Sequence, residues 1–389
     1  MTPSSKWLFM VCVGVVLASV VLLAHGYQAN SSVEKQIGIS GLLCGVLSMP
    51  LFFVGPSKRR RIFLALGGIG VWVSVFFVAG EVILRLAYPT GESFSAHGGP
   101  FVKKFEREFH LNRYDGPSRG PEIGDGSNPG SVRLLVQGDS ITWGQGVRDE
   151  DSLYTTRVLA DLRKRGVNAE MAVLARTGRE IDSHVQQLRN SAETLRPDVV
   201  IYQWYINDIE LDTSFRPSTN WIWRRTFVHR FLVQRSYLWF FLDYNAASLL
   251  SSSNAYEDYL AERYPEGSIA WNDFSEVFTQ WCTLATGATP RVLVVLYPLM
   301  ALPYGAPPTF SPVGRTVGGR LERLCPQARY LDLVPAFSRF EDAGDLRASR
   351  YDNHPSAAAH AVMADEISRA LGQFWPDLFP RGAASTDSK

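Results

Sequence analysis

Three long apolar runs lie near the start of the chain, at residues 7–25, 37–54 and 62–82. Each has the length of about 20 residues that a helix needs to cross the hydrocarbon core of a bilayer. The first run follows Lys6, which is also typical of a signal peptide, but it lacks a clear cleavage site and two more runs follow it. The pattern therefore predicts an anchor of three transmembrane helices within residues 1–87.

The loops between these runs predict their orientation. The second loop carries the basic run Lys58–Arg61, which is typical of the cytoplasmic side, whereas the charges in the first loop, Glu34 and Lys35, offset each other. We therefore expect a cytoplasmic N-terminus and an extracytoplasmic domain after the third helix. Glu81 and Arg85 stand four residues apart near the end of that helix, which predicts an ion pair at the membrane interface.

Short apolar runs alternate with amphipathic segments beyond residue 130. A connector rich in Gly, Pro and charge, residues 88–129, precedes this domain of residues 130–375, and a flexible tail, residues 376–389, follows it. The predicted strands are 132–136, 169–174, 198–204, 291–297 and 330–333, and the predicted helices include 153–165, 179–195 and 356–371. Such alternation predicts an α/β domain with a parallel sheet and helices on both faces.

An insertion at residues 211–267 separates the third and fourth predicted strands. Aromatic and arginine side chains interleave in its middle, and residues 221–242 include no acid. Two interpretations stay open. The insertion is either a basic aromatic surface that contacts the membrane or covers the site, or a helical subdomain with its aromatic side chains packed inward.

Composition narrows the classes of partner. The formal net charge is +1, which gives no indication of a nucleic-acid partner. Of the four cysteines, Cys12 and Cys44 lie in apolar runs, while Cys282 and Cys325 precede the fourth and fifth strands. That last pair would form a disulfide only in an oxidising compartment. The cysteine spacing indicates no metal site, and no cofactor is expected.

Ser140 is the first candidate for chemistry, because it follows a buried strand at Gly138-Asp139-Ser140. Open α/β sheets bind their ligands at the edge that is formed by the carboxyl ends of the strands. The alternative is that Asp139 or Ser140 merely caps a helix. Serine is a weak nucleophile until a base takes its proton, and His354 is the candidate base. Asp352 is the nearest acid that would hold the imidazole in the right tautomer.

A tetrahedral intermediate of acyl transfer carries an oxyanion, which needs hydrogen-bond donors. The backbone N–H groups of Ser140 and Gly178 and the side-chain amide of Asn207 would supply three of them, since these residues follow the first three strands. Asp208 is expected to brace the turn that holds Asn207. Arg176 and Arg179 flank Gly178, where they would meet an anionic substrate.

These blocks, together with the run Ser356–His360, resemble the SGNH, or GDSL, hydrolase family over residues 130–373. The resemblance rests on Gly138-Asp139-Ser140, Gly178, Asn207-Asp208 and Asp352-Asn353-His354-Pro355 in this order. It implies a flavodoxin-like sheet, Ser140 as nucleophile, His354 as base, and ester hydrolysis or acyl transfer.

Departures from the family pattern concern the acid and the pocket. The acid usually stands three residues before the histidine, where this chain has Tyr351, so Asp352 is an atypical candidate beside Asp345 or a backbone carbonyl. Tyr205 stands where the family usually has a glycine, and we expect it to narrow the pocket beside the oxyanion hole. Ala359 replaces a frequent glycine within the last helix, where it is expected to be harmless.

Three functions fit this sequence. The first is a serine esterase that is anchored in a bacterial inner membrane, with its catalytic domain outside the cytoplasm. It would act on an acylated glycan, lipid or small molecule. The second is an O-acyltransferase, which would pass the acyl group from Ser140 to a polysaccharide hydroxyl. The third is a non-catalytic envelope module that binds glycan. The intact set of Ser140, Asn207 and His354 favours the two enzymes.

Overall fold

The computed structural model describes residues 58–87, 119–123, 128, 130–211, 226–250, 255–301, 306–349 and 352–380. The chain divides into two units. The first comprises Met1–Pro89 and Trp221–Ala246, and the second comprises Thr90–Asn220 and Ala247–Lys389. Part of the insertion thus groups with the N-terminal residues, whereas the sequence analysis kept it with the α/β domain.

The helices and strands of the described residues, in both units, are numbered in chain order. The helices are α1 (Lys58–Ala87), α2 (Ser140–Trp143), α3 (Tyr154–Lys164), α4 (Ile181–Leu195), α5 (Phe227–Val233), α6 (Tyr237–Leu250), α7 (Ala255–Arg263), α8 (Ile269–Ala288), α9 (Pro312–Leu324), α10 (Val334–Phe337) and α11 (Ala357–Phe374). The strands are β1 (Val132–Gly138), β2 (Ala169–Ala175), β3 (Val199–Trp204), β4 (Val292–Leu296), β5 (Met300–Ala301), β6 (Thr309–Phe310), β7 (Arg329–Asp332), β8 (Arg347–Ser349) and β9 (Asp352–Pro355).

In the first unit, α1 contains the third of the predicted membrane spans. Its segment Leu66–Leu86 is apolar and long enough to cross a bilayer, and 6% of its most apolar window is buried. A core helix of a soluble protein would be mostly buried, which this segment is not. The basic run Lys58–Arg61, predicted as a loop, begins this helix. The first two predicted spans, residues 7–25 and 37–54, lie outside the described residues.

The second unit is built on a parallel sheet of five strands in the order β2-β1-β3-β4-β7. Numbered along the sheet's own strands, this is the 2-1-3-4-5 order of flavodoxin-like folds. The α/β class and the five predicted strands are therefore confirmed. Two short antiparallel hairpins, β5–β6 and β8–β9, were not predicted, and β9 contains His354.

Alternating side chains of the strands divide the core between the two faces of the sheet. On one face, Leu134 and Val136 of β1 pack with residues of α3 and α11. On the other, Leu135 packs with residues of α4, α8 and α9, among them the fully buried Trp281. Burying one such large apolar side chain stabilises the fold by about 1.5–3 kcal/mol. Helices thus cover both faces, as predicted.

A disulfide joins Cys282 of α8 to Cys325 at the end of α9, with the two Cα atoms 5.8 Å apart. Both residues are buried in the core on that face. The bond closes a sequence separation of 43 residues, so it restricts the unfolded chain as well as the folded one.

The double substitution Cys282→Ala with Cys325→Ala is expected to lower the free energy of unfolding by about 2–4 kcal/mol. Urea unfolding of the full chain in detergent, followed by tryptophan fluorescence, measures the change. The matched control replaces Cys12 and Cys44 instead, and it should leave the transition of the second unit in place. Equal unfolding midpoints for all three proteins would contradict a stabilising disulfide.

Candidate active site

The turn after β1 places Ser140 at the edge of the sheet. Gly138 ends the strand where a side chain would not fit, because an added Cβ would lie 2.0 Å from Thr142 Oγ1. The side chain of Asp139 then caps α2 by accepting a hydrogen bond from the Ile141 N–H, at 2.9 Å. Ser140 is the first residue of α2 and is 8% exposed. Its backbone N–H is therefore one of the free donors at the helix start.

His354 reaches Ser140 from the far end of the chain. It lies on β9, and its Nε2 atom is 2.8 Å from Ser140 Oγ. The segment around it is held on its C-terminal side, since the Ser356 N–H donates to the Leu346 carbonyl and the Ser356 hydroxyl accepts from the Ala359 N–H at the start of α11. This distance is that of a nucleophile with its general base.

The candidate acids differ in what the structure describes. Asp352 lies on β9, and its side chain is outside the described part of the molecule, so its role stays a prediction. The Asp345 side chain is exposed and makes no hydrogen bond or ion pair with a described residue, while its backbone carbonyl accepts from the Ser356 hydroxyl. We therefore find no contact that favours the Asp345 carboxylate as the orienting acid.

Gly178 and Asn207 follow the strands on either side of β1. Gly178 has φ +71° in a turn closed by the Arg179 N–H and the Arg176 carbonyl, a conformation in which a side chain is strained. Neither its N–H nor that of Ser140 donates a hydrogen bond within the described residues. Both groups are thus available donors. Asn207 lies in the 3₁₀ turn Ile206–Ile209 after β3.

Asp208 braces the turn that holds Asn207, as the sequence analysis expected. Its Oδ2 atom accepts from the Tyr202 hydroxyl at 2.7 Å and from the Tyr205 N–H at 3.0 Å. The residue is buried, and burial raises the pKa of its carboxyl well above the ordinary value. The Tyr205 ring packs edge-on against Tyr297, with the ring centroids 5.8 Å apart.

Asp139 is the buried acid beside the Ser140–His354 pair. Burial raises its pKa to about 6, against stabilisation of its charge by the Ile141 N–H, His354 and Asn207. The Asp139 Oδ2 atom makes no hydrogen bond of ordinary length with a described residue. The Asn207 side chain is nevertheless close enough to lower the pKa of this carboxyl. Asn207 therefore lies at the same site as Ser140. The Asp139 carboxylate places a negative charge near the His354 imidazole.

A buried polar network lies behind α2. The Thr142 hydroxyl donates to Gln203 Oε1 at 2.9 Å and lies 2.8 Å from the Tyr154 hydroxyl, which must then be the donor of that pair. The Tyr154 N–H donates to His360 Nδ1 at 3.1 Å. Burial lowers the pKa of His360 to about 3, so it stays neutral near pH 7. These contacts fix α2 against β3 and α11.

Two further histidines of the second unit are buried helix residues. His360 lies on α11 and His184 on α4, where the His184 ring is 3.1 Å from Gln187 Oε1. Burial lowers the pKa of His184 to about 4. Both histidines are therefore structural, and neither is a second candidate base.

The sequence analysis missed Arg119, which lies in the predicted connector. Its guanidinium is fully buried and donates to the carbonyls of Gly144, Val147 and Arg148, at 2.8, 2.9 and 3.2 Å. Burial lowers its pKa to about 10, partly offset by Glu150 and Asp149. Arg119 thus holds the loop directly after α2, the helix that begins at Ser140. An arginine whose partners are backbone carbonyls leaves no pattern in the sequence.

Within the described residues, no group of three His, Cys, Asp or Glu side chains has the geometry of a metal site. Arg176 is exposed beside Gly178 and Arg179 is half-buried, so the expectation that they meet an anionic substrate stays a prediction.

Comparisons with known proteins give no match to a family model and no significant match to a curated protein sequence. Solved structures do match. A lipase/acylhydrolase from Enterococcus faecalis is 12% identical, with 62% of this chain and 96% of that chain covered and a TM-score of 0.38. The acetylxylan esterase Axe2 from Geobacillus stearothermophilus is 16% identical, with 62% and 95% covered and a TM-score of 0.36. The esterase EstA from Pseudoalteromonas sp. is 10% identical, with 63% and 100% covered and a TM-score of 0.38.

These structures are named as a lipase/acylhydrolase, an acetylxylan esterase and an esterase. At such identities and TM-scores, the roles of Ser140, Gly178, Asn207 and His354 have to be inferred from the atoms of this chain.

Asp139→Asn is expected to stabilise the protein at pH 7.5 and to slow the enzyme. The folded-state pKa of about 6 exceeds the usual value, so ionising Asp139 costs stability as pH rises from about 4 to 6, and this cost persists above pH 6. An asparagine keeps the cap acceptor without the charge, which should add about 3 kcal/mol at pH 7.5 and nothing below pH 4. Turnover should fall, because a negative charge near the His354 cation is lost.

Urea unfolding at pH 7.5 and at pH 3.5 measures the first effect. Asp345→Asn, at an exposed carboxylate, is the matched control. A stability difference that is the same at both pH values would contradict an ionised, buried Asp139.

Proposed function

We propose that this chain is a membrane-anchored serine esterase whose catalytic unit lies outside the cytoplasm and acts on acylated glycans or lipids. The hydrogen bond between Ser140 Oγ and His354 Nε2 carries the proposal. It joins a nucleophile and a base at the carboxyl edge of a parallel sheet, between the ends of β1 and β3 where strand order reverses.

Acylation begins when the Ser140 oxygen attacks the ester carbonyl carbon and its proton passes to His354 Nε2. The tetrahedral intermediate then carries an oxyanion, which accepts hydrogen bonds from the N–H groups of Ser140 and Gly178 and from the Asn207 amide. As the intermediate collapses, the bond to the leaving alcohol breaks and His354 returns the proton to that alcohol. The acyl group stays on Ser140 as an ester.

Deacylation repeats the sequence with water. His354 takes a proton from water as the oxygen attacks the acyl-enzyme, and the same donors hold the second oxyanion. His354 finally protonates Ser140 as the carboxylic acid leaves. The Asp139 charge favours the imidazolium that forms in both halves, because it lies near His354 within a buried environment.

The anchor and the compartment are supported by observations outside the site. The exposed apolar segment of α1 is suited to a bilayer, and the basic run Lys58–Arg61 at its start favours a cytoplasmic position for that end. The Cys282–Cys325 disulfide favours an oxidising compartment for the second unit. These agree on a periplasmic or extracellular catalytic unit.

Ser140→Ala is expected to reduce hydrolysis of a short 4-nitrophenyl ester to background while the protein stays folded, since the change removes one oxygen at the first residue of α2. Initial rates with purified protein and circular dichroism give the two readouts. Ser152→Ala, at a half-buried serine whose hydroxyl donates to Asp149 Oδ2, is the matched control and should keep full rate. An unchanged rate of ester hydrolysis in Ser140→Ala would contradict the proposed mechanism.

Product analysis in the presence of an acetylated ester and a sugar acceptor decides between water and a hydroxyl as the acyl acceptor. Release of free acid alone supports the esterase, whereas an acylated sugar product would make the chain an O-acyltransferase that uses the same residues.

Asn207→Ala and Asp352→Asn are expected to separate the oxyanion hole from the atypical acid. Removing one oxyanion donor typically costs about 2.7–4 kcal/mol, so Asn207→Ala should lower kcat by on the order of 10²–10³ with little change in KM. If Asp352 orients His354, Asp352→Asn should cost up to roughly 10⁴ in kcat.

Steady-state kinetics of the two variants side by side give the answer. If kcat is nearly unchanged in Asp352→Asn but strongly reduced in Asn207→Ala, the site is a Ser140–His354 dyad. A rise in KM with unchanged kcat in Asn207→Ala would contradict the oxyanion role.

A further inference from the structure

Glu81 is a buried carboxylate within the apolar helix α1, and it is 5% exposed. It accepts three hydrogen bonds from the start of α6, from Ser236 Oγ at 2.9 Å, the Tyr237 N–H at 3.1 Å and the Leu238 N–H at 3.0 Å. The Arg85 Nε atom donates to it as well, at 2.7 Å. The carboxylate therefore caps a second helix, whose N-terminal dipole favours negative charge.

This junction is tightly packed on both sides of Glu81. Gly80 faces Leu238 so closely that an added Cβ would lie 2.9 Å from Leu238 Cδ2. The rings of Phe77 and Trp239 are 6.3 Å apart between centroids. Because a glycine, a buried carboxylate and an aromatic pair all lie at one crossing, the start of α6 is held at a defined height on α1.

The crossing of α1 and α6 lies near the C-terminal end of the candidate membrane span. Glu81 stands five residues before Leu86, where the span ends, which is about 7–8 Å along a helix. The Arg85 guanidinium lies over the Tyr237 ring at 4.5 Å and donates to the Arg235 carbonyl. Ion pairs and aromatic rings at this depth are typical of the boundary between hydrocarbon and headgroups.

The short helix α5 is attached to the same junction and presents apolar side chains to the exterior. Trp239 Nε1 donates to the buried His229 Nδ1 of α5 at 3.1 Å. On the outer surface, Phe227 is 79% exposed and Val228 is 61% exposed. Arg230 of the same helix is exposed too. Apolar side chains beside basic ones form the surface of a helix that lies in a membrane interface.

We propose that residues 226–240, the interfacial segment, lie in the headgroup layer of the bilayer that α1 crosses. Phe227 and Val228 enter the boundary of the acyl chains, while Arg230 and Arg235 meet the phosphates of anionic lipids. The inference rests on the proposed membrane span of α1. It resolves the two interpretations of the insertion in favour of membrane contact, with the aromatic rings of Tyr237 and Trp239 attaching the segment to α1.

Depth-dependent fluorescence quenching tests this placement in the full chain. In a background with Cys12→Ala and Cys44→Ala, single cysteines at Phe227 and at Phe76 in the middle of the span are labelled with an NBD fluorophore. The protein is reconstituted into phosphatidylcholine vesicles with and without phosphatidylglycerol. Spin-labelled lipids with the quenching group near the headgroup or deep in the acyl chain then report the depth of each label.

We expect strong shallow quenching at position 227 that rises with phosphatidylglycerol, and deep quenching at position 76. Deep quenching at 76 with no lipid quenching at 227 would overturn the interfacial segment and leave the span intact. Absence of lipid quenching at both positions would overturn the span and the inference together.

Glu81→Leu tests whether the carboxylate holds the segment. It should reduce shallow quenching at 227 several-fold while leaving deep quenching at 76 unchanged, because the cap is lost and the span is not. Glu81→Gln, which keeps an acceptor at this position, should retain most of the quenching at 227. Equal quenching in all three proteins would show that Glu81 does not anchor the segment.

Discussion

The hydrogen bond between Ser140 and His354 connects residues 214 positions apart, and the second unit is arranged to make it. A parallel sheet brings the carboxyl ends of β1 and β3 to one edge, so Ser140 and Asn207 start from neighbouring strands. His354 needs separate support, because no strand of the five-stranded sheet carries it. The β8–β9 hairpin and the start of α11 provide that support, and their attachment to the rest of the core sets the distance between His354 Nε2 and Ser140 Oγ.

Burial gives the site its electrostatic character. Asp139 would be charged and solvated at the surface, but in this core its pKa is raised to about 6 while it faces His354 and Asn207. A charge in such a low-dielectric place acts strongly on its neighbours and costs folding stability at the same time. The buried contacts of Arg119 with the loop after α2, and of Thr142 with Gln203, add the rigidity that keeps the neighbouring groups in place.

Much of this fold could be predicted from the sequence, because buried parallel strands are continuous apolar runs and their carboxyl ends share one edge. The hairpin β8–β9 could not be predicted, since strands of three and four residues are too short for a period. The burial of His184 and His360 could not be predicted, because helix periodicity does not show what covers a polar side chain. The ion pair of Glu81 with Arg85 followed from their spacing, whereas the hydrogen bonds of Glu81 to Ser236, Tyr237 and Leu238 depend on a contact between distant segments.

The central claim is that His354 activates Ser140 as a nucleophile. Reaction with a fluorophosphonate, followed by peptide mass analysis, tests it most directly, because the reagent forms a covalent bond only with an activated hydroxyl. The account predicts one adduct, on the peptide that contains Ser140, whose formation is lost in His354→Ala. An intact protein that forms no adduct, or that reacts at Ser140 as fast in His354→Ala as in the unmodified chain, would contradict it.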